Sequence, residues 1–107
     1  MGNDVMELIK SEIQNNKIVL FMKGTPDAPQ CGFSAATVEV LRGFKRPFKG
    51  INILANPEIR EMLPEYSNWP TFPQLFIDGK LLGGCDIVHE LKESGELEKI
   101  LNAAFKS

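Results

Sequence analysis

IVLFMKGTPDAPQCGFSAATVEVL, residues 18–41, runs from an unbroken apolar stretch through a Pro-rich loop to one cysteine, then into a helical pattern. Ile18 to Met22 contains no polar residue, which suits a central strand covered on both faces. The helical spacing extends from about Gly32 to Arg42 and ends at Gly43. Between strand and helix lies Cys31, at the carboxyl end of a strand, where open α/β sheets collect their ligands. It also falls at the first turn of the following helix, where free N–H groups and the macrodipole favour a negative charge. Both effects favour thiolate over thiol, and Lys23 at the other end of the loop adds a positive charge. The loop has the look of a C-x-x-C redox site, yet Ser34 holds the second cysteine position.

Working outward, Val5, Leu8, Ile9 and Ile13 share one helical face, with Asn3 and Asp4 as cap candidates and Asn15-Asn16 as the stop. Ile51 and Ile53 alternate with polar neighbours in a strand near residues 48–53. Asn56-Pro57-Glu58 reads as N-cap, first helical residue and dipole-matched acid of a short helix through Met62 and Leu63. Gln74 to Ile77 forms a strand that Asp78-Gly79 joins to Lys80–Leu82, since Asp-Gly is the strongest two-residue hairpin signal. After Gly83-Gly84 the chain is helical again, with Asp86 as cap and Ser94-Gly95 as a break before the last segment. The order αβαβαββαα combines a right-handed parallel crossover with an antiparallel hairpin. A four-stranded mixed sheet flanked by helices, the thioredoxin-like fold, is the economical solution, as one domain over residues 1–107.

The net charge of −2 provides no electrostatic reason for nucleic acid or anionic membrane as partner, and the basic cluster Arg42, Lys45, Arg46 and Lys49 reads as a solvated loop. No apolar stretch approaches membrane-spanning length. Two cysteines far apart do not make a secreted disulfide scaffold, so a reducing compartment is expected.

Ser34 cannot close a disulfide with Cys31, which leaves two routes for the thiolate. It attacks a mixed disulfide and is released by an outside thiol such as glutathione, or by Cys85 if that sulfur can reach. Alternatively it ligates metal. A [2Fe–2S] centre commonly takes four thiolates, so two subunits supplying Cys31 and two non-protein thiols would complete the set. Zinc does not fit, because Cys31, Cys85 and His89 lack the spacing of a structural site.

Phe72 before Pro73 is a cis-peptide candidate, which would turn the Phe72 backbone outward as an edge for an extended peptide. Two readings of Trp69 stand, packing or a role near a cluster. At residues 83–86, GGCD, exposed N–H groups of Cys85 and Asp86 suit a carboxylate while the Asp86 side chain meets an ammonium, the two charges of a γ-glutamyl group. For Asp86 the bland alternative is a plain cap, and for Cys85 a small buried filler. Arg60 reads either as a solvated surface arginine or as the partner of a carboxylate at the other end of a peptide. His89 is assigned no role.

KGTPDAPQCGFS (residues 23–34) with NWPTFPQLFIDGKLLGGCDI (residues 68–87) resembles the monothiol glutaredoxins of the CGFS type, and the resemblance runs from about Val5 to the last helix. It implies bound glutathione and a labile [2Fe–2S] cluster bridging a homodimer, each subunit providing Cys31 and the thiol of one glutathione. Carried over by position, the glutathione contacts would be Lys23, Arg60, Phe72, Cys85 and Asp86. The family implies iron–sulfur cluster storage and transfer, iron homeostasis, BolA-type and acceptor-protein partners, and weak reductase activity. The alternative is a glutathione-dependent oxidoreductase that removes glutathione from mixed disulfides through Cys31. A cytoplasmic setting is expected, with the mitochondrial matrix as the alternative if a leader was trimmed.

Overall fold

A computed structural model of the chain describes residues 2–106. Its elements are α1 (Gly2–Asn15), β1 (Ile18–Met22), β2 (Gly24–Thr25), β3 (Ala28–Pro29), α2 (Gly32–Gly43), β4 (Lys49–Asn52), α3 (Pro57–Ser67), β5 (Gln74–Ile77), β6 (Lys80–Gly83), α4 (Cys85–Ser94) and α5 (Glu96–Ala104). The main sheet has the order β4-β1-β5-β6, with β1 parallel to β4 and antiparallel to β5, and β5 antiparallel to β6. This is the four-stranded mixed sheet of the thioredoxin-like arrangement.

The buried run of β1 is explained by the period of two along a strand. Ile18, Leu20 and Met22 face one core with Val38 and Leu41 of α2, Val88 of α4, and Leu97 and Leu101 of α5. Val19 and Phe21 face the other, against Ile9 and Ile13 of α1 and Ile59 and Leu63 of α3. Phe21 meets Phe76 of β5 edge to face, with ring centroids 5.7 Å apart. Among the described residues no helix is long and apolar enough to cross a membrane.

Several expectations are corrected. The Cys31 loop carries a second, two-stranded sheet of β2 and β3, too short for any periodic signal. Cys31 is the N-cap of α2 rather than a first-turn residue. Helix α2 ends at Gly43 as expected, with Phe44 as its C-cap. Helix α3 continues past Leu63 to Ser67, with Pro64 inside it. Asp86 is not a cap: Gly84 is, and Asp86 is the second residue of α4, an acid in its first turn. Asp4 lies inside α1, and the Asn3 side chain lies outside the described residues. The Asn56 cap position and the hairpin strands stand as expected.

Candidate functional site

All the elements that carry the expected residues converge at the carboxyl end of β1. Lys23 follows β1 directly, Cys31 opens α2, Arg60 lies on α3, Phe72 precedes β5, and Cys85 and Asp86 begin α4. These six line one cleft of about 630 Å³, a size typical of small-molecule sites. Trp69 and Phe33 form further parts of its wall, so Trp69 faces the cleft as well as packing.

The Cys31 thiol has its pKa lowered from the ordinary 9.0. The backbone N–H of Ser34 is the largest cause, partly opposed by burial, followed by the Phe33 N–H, the Lys23 charge and the Ser34 hydroxyl. The sulfur makes no cap hydrogen bond of conventional geometry, so the N–H groups of the helix tip act through their aimed dipoles. Cys31 is half-buried, and both cysteines are free thiols.

Ser34 is wholly buried. Its Oγ accepts the Lys23 N–H at 3.1 Å, tying the helix tip to the end of β1. The residue in the second cysteine position therefore acts as a fastener under the thiol. Beside it, Gly24 adopts φ +91°, and a Cβ there would lie 2.5 Å from the Ala28 carbonyl oxygen. Only glycine fits that turn.

The opposite wall depends on close backbone approach. The Phe72–Pro73 peptide is cis, as expected. The backbone N–H and C=O of Phe72 have no hydrogen-bond partner among the described residues. A Cβ on Gly84 would lie 3.2 Å from the Pro73 carbonyl oxygen and 3.5 Å from Trp69 Nε1. The glycine lets the tip of α4 seat against this loop. Gln74, also wholly buried, donates from Nε2 to the carbonyls of Trp69 at 2.8 Å and Thr71 at 3.1 Å. At the α4 tip, Cys85 and Asp86 place their N–H groups among the unpaired donors of a helix start. The Asp86 carboxylate is exposed beside them.

Sequence reasoning missed three contributors. Gln74 reads as one more strand residue, although it braces the Trp69–Thr71 loop. Asn52 accepts the Gly24 N–H across the sheet. His89 has its Nδ1 2.9 Å from the Cys85 carbonyl oxygen and 3.5 Å from Cys85 Sγ. The i, i+4 spacing was the available signal for His89.

Residues 18–82 match the family model described as Glutaredoxin. The chain is 57% identical over 99 residues to a probable monothiol glutaredoxin 2 of Rickettsia felis, covering 92% of this chain and 95% of that protein. It is 50% identical over 104 residues to glutaredoxin 4 of Buchnera aphidicola subsp. Baizongia pistaciae, covering 97% and 96%. The solution structure of reduced poplar apo GrxS14 is similar at a TM-score of 0.85 and 48% identity, with 96% of this chain and 94% of that one covered.

Proposed function

The chain belongs to the glutaredoxin family, as a monothiol member, and from that premise we propose that it binds glutathione and carries a labile [2Fe–2S] cluster between two subunits. The reading is carried by the arrangement of Cys31, Lys23, Arg60, Phe72, Cys85 and Asp86 around a single cleft. Lys23 and Arg60 take the glycine carboxylate of the tripeptide. The unpaired backbone groups of Phe72 pair with its cysteinyl residue as an added strand would. The N–H groups at the α4 tip take the γ-glutamyl carboxylate, and Asp86 takes the ammonium. Glutathione's thiol then lies on the Cys31 side of the cleft.

Whether the residues fit a cluster turns on the ligand count. Among the described residues no group of three or more His, Cys, Asp or Glu could hold a metal ion. One chain offers Cys31, and the four thiolates a [2Fe–2S] centre takes close with two Cys31 residues and two glutathione thiols. Cys31 suits that role: half-buried, inclined to the thiolate, and next to Phe33, whose 62% exposed ring forms an apolar rim for a second subunit to cover. Bound, the cluster supplies iron and sulfide for transfer. With half its ligands held non-covalently, it leaves readily toward acceptor proteins or a BolA-type partner, in keeping with a role in iron homeostasis. A reducing, cytoplasmic setting completes the proposal.

Anaerobic reconstitution with iron, sulfide and glutathione tests it. The expected product is a coloured dimer that fails to form when glutathione is omitted. A colourless monomer from the complete mixture would overturn the carrier reading.

The lowered pKa of Cys31 supports a second reading, glutathione-dependent oxidoreductase. The Cys31 thiolate attacks the glutathione sulfur of a protein mixed disulfide, and the protein thiolate leaves. A second glutathione thiolate attacks the Cys31–glutathione disulfide, releasing oxidised glutathione and restoring the Cys31 thiolate. Fast Cys31-dependent turnover of a glutathionylated peptide by protein that forms no cluster would favour this reading.

A further inference from the structure

Lys23 and Arg60 come from different parts of the fold, the end of β1 and the first turns of α3, yet both line the cleft. Besides the β1–β4 pairing and the Ile53 N–H on the Met22 carbonyl at 2.9 Å, a side chain links the two segments. Asn52, the last residue of β4, accepts the Gly24 N–H on its Oδ1 at 2.9 Å, immediately after Lys23. Its backbone carbonyl accepts the Asn56 Nδ2–H at 2.8 Å. Asn56 is the N-cap of α3, and its own carbonyl accepts the N–H groups of Ile59 and Arg60. The chain of bonds thus runs from the Lys23 turn through Asn52 and Asn56 to Arg60.

The bland account of Asn52 is a local turn, since its Oδ1 also accepts the Leu54 N–H two residues on, at 2.9 Å. That turn has no need of Gly24, which lies 28 residues away in sequence. Nor does it need the Asn56 side chain, which forgoes capping its own helix to reach the Asn52 carbonyl.

We propose that Asn52 is a positioning residue that holds Lys23 and Arg60 at one spacing, so that both act on the same carboxylate of the bound ligand. A lysine chain is flexible, and its cost of ordering on a ligand falls when its backbone is already pinned. Lys23 is pinned by Ser34 at its N–H and by the Gln30 N–H at its carbonyl, while Asn52 fixes the turn that follows. The Arg60 backbone N–H is held by the Asn56 carbonyl at the N-cap of α3, at 3.1 Å. The inference rests on the glutathione reading and adds a reason for carboxylate selectivity.

The test titrates the reduced chain with glutathione and with its glycine amide, which lacks that carboxylate, by calorimetry. Wild type should prefer the carboxylate, and Asn52→Ala should cut the preference about fivefold, the worth of one net hydrogen bond, while binding the amide nearly as before. Asn52→Asp keeps the oxygen acceptor and should recover most of the preference in salt that screens its added charge. Should Asn52→Ala fail to fold, Asn56→Ala should lower the preference in the wild-type background but not beside Arg60→Ala. An undiminished preference in Asn52→Ala, a wild type indifferent to the carboxylate, or an Asn56→Ala loss that persists without Arg60 would overturn the assignment. Wild type that binds neither ligand would overturn the glutathione reading itself.

Discussion

Replacing Ser34 with alanine separates two roles that this residue combines. The substitution removes the acceptor of the Lys23 N–H and the hydroxyl that faces Cys31, but leaves the Ser34 backbone N–H in place. An N–H stripped of its partner costs about 1–3 kcal/mol when water cannot reach it. Ser34 is wholly buried and Lys23 half-buried, which places the loss toward the lower end, about 1–2 kcal/mol. For a domain of this size the melting temperature should fall by roughly 5–10 °C. The thiol should respond far less, because the hydroxyl is the smallest of the influences that lower its pKa and the helix-tip N–H is the largest. Thermal unfolding by circular dichroism reads the first effect, and iodoacetamide alkylation against pH reads the second. An unchanged melting temperature would refute the fastener role. An alkylation midpoint restored to that of a free thiol would refute the ranking of causes.

Four further outcomes rest on the same geometry. In wild type the alkylation midpoint of Cys31 should lie below 9.0. Because the folded value lies below the unfolded one, the thiolate's contribution to stability is complete above 9.0 and is lost as pH falls through the folded value. The difference in urea stability between wild type and Cys31→Ser should therefore grow as pH rises through that window, and a flat or falling difference contradicts it. Gly24→Ala, with its new Cβ 2.5 Å from one backbone atom and 2.6 Å from another, should destabilise by about 2–3 kcal/mol or more; a near-neutral urea midpoint would mean the turn relaxes. Lys23→Ala should weaken glutathione binding by about three- to tenfold and reduce its salt dependence, and unaltered binding would remove Lys23 from the site.

Much of the architecture was legible because the decisive signals are local. The run from Ile18 to Met22 announces a strand covered on both sides, and Asp78-Gly79 adopts the left-handed backbone that an Asp-Gly hairpin requires, with φ values of 53° and 81°. Of the cleft residues, Cys31 and Phe72–Pro73 were found from chemistry visible in neighbouring positions. What escaped depends on partners distant in sequence or on short features. The β2–β3 ladder pairs two residues with two, below any period. The helix expected through Leu63 absorbs Pro64 and runs to Ser67, with Leu63 buried in the core. Asn52 and Gln74 look like ordinary strand residues, since nothing nearby reveals which backbone groups their amides reach. Asp86 carries the N-cap chemistry, but Gly84 is the cap and the helix starts two residues earlier.

The cleft is assembled from segments scattered between residues 23 and 87, and this governs how the protein fails. A proteolytic piece confined to that interval would lack Ile9 and Ile13 beneath one side of the sheet, and Leu97 and Leu101 beneath the other. A nick inside that interval divides the lining of the cleft between two pieces. Clipping inside the interval should therefore abolish ligand capture outright.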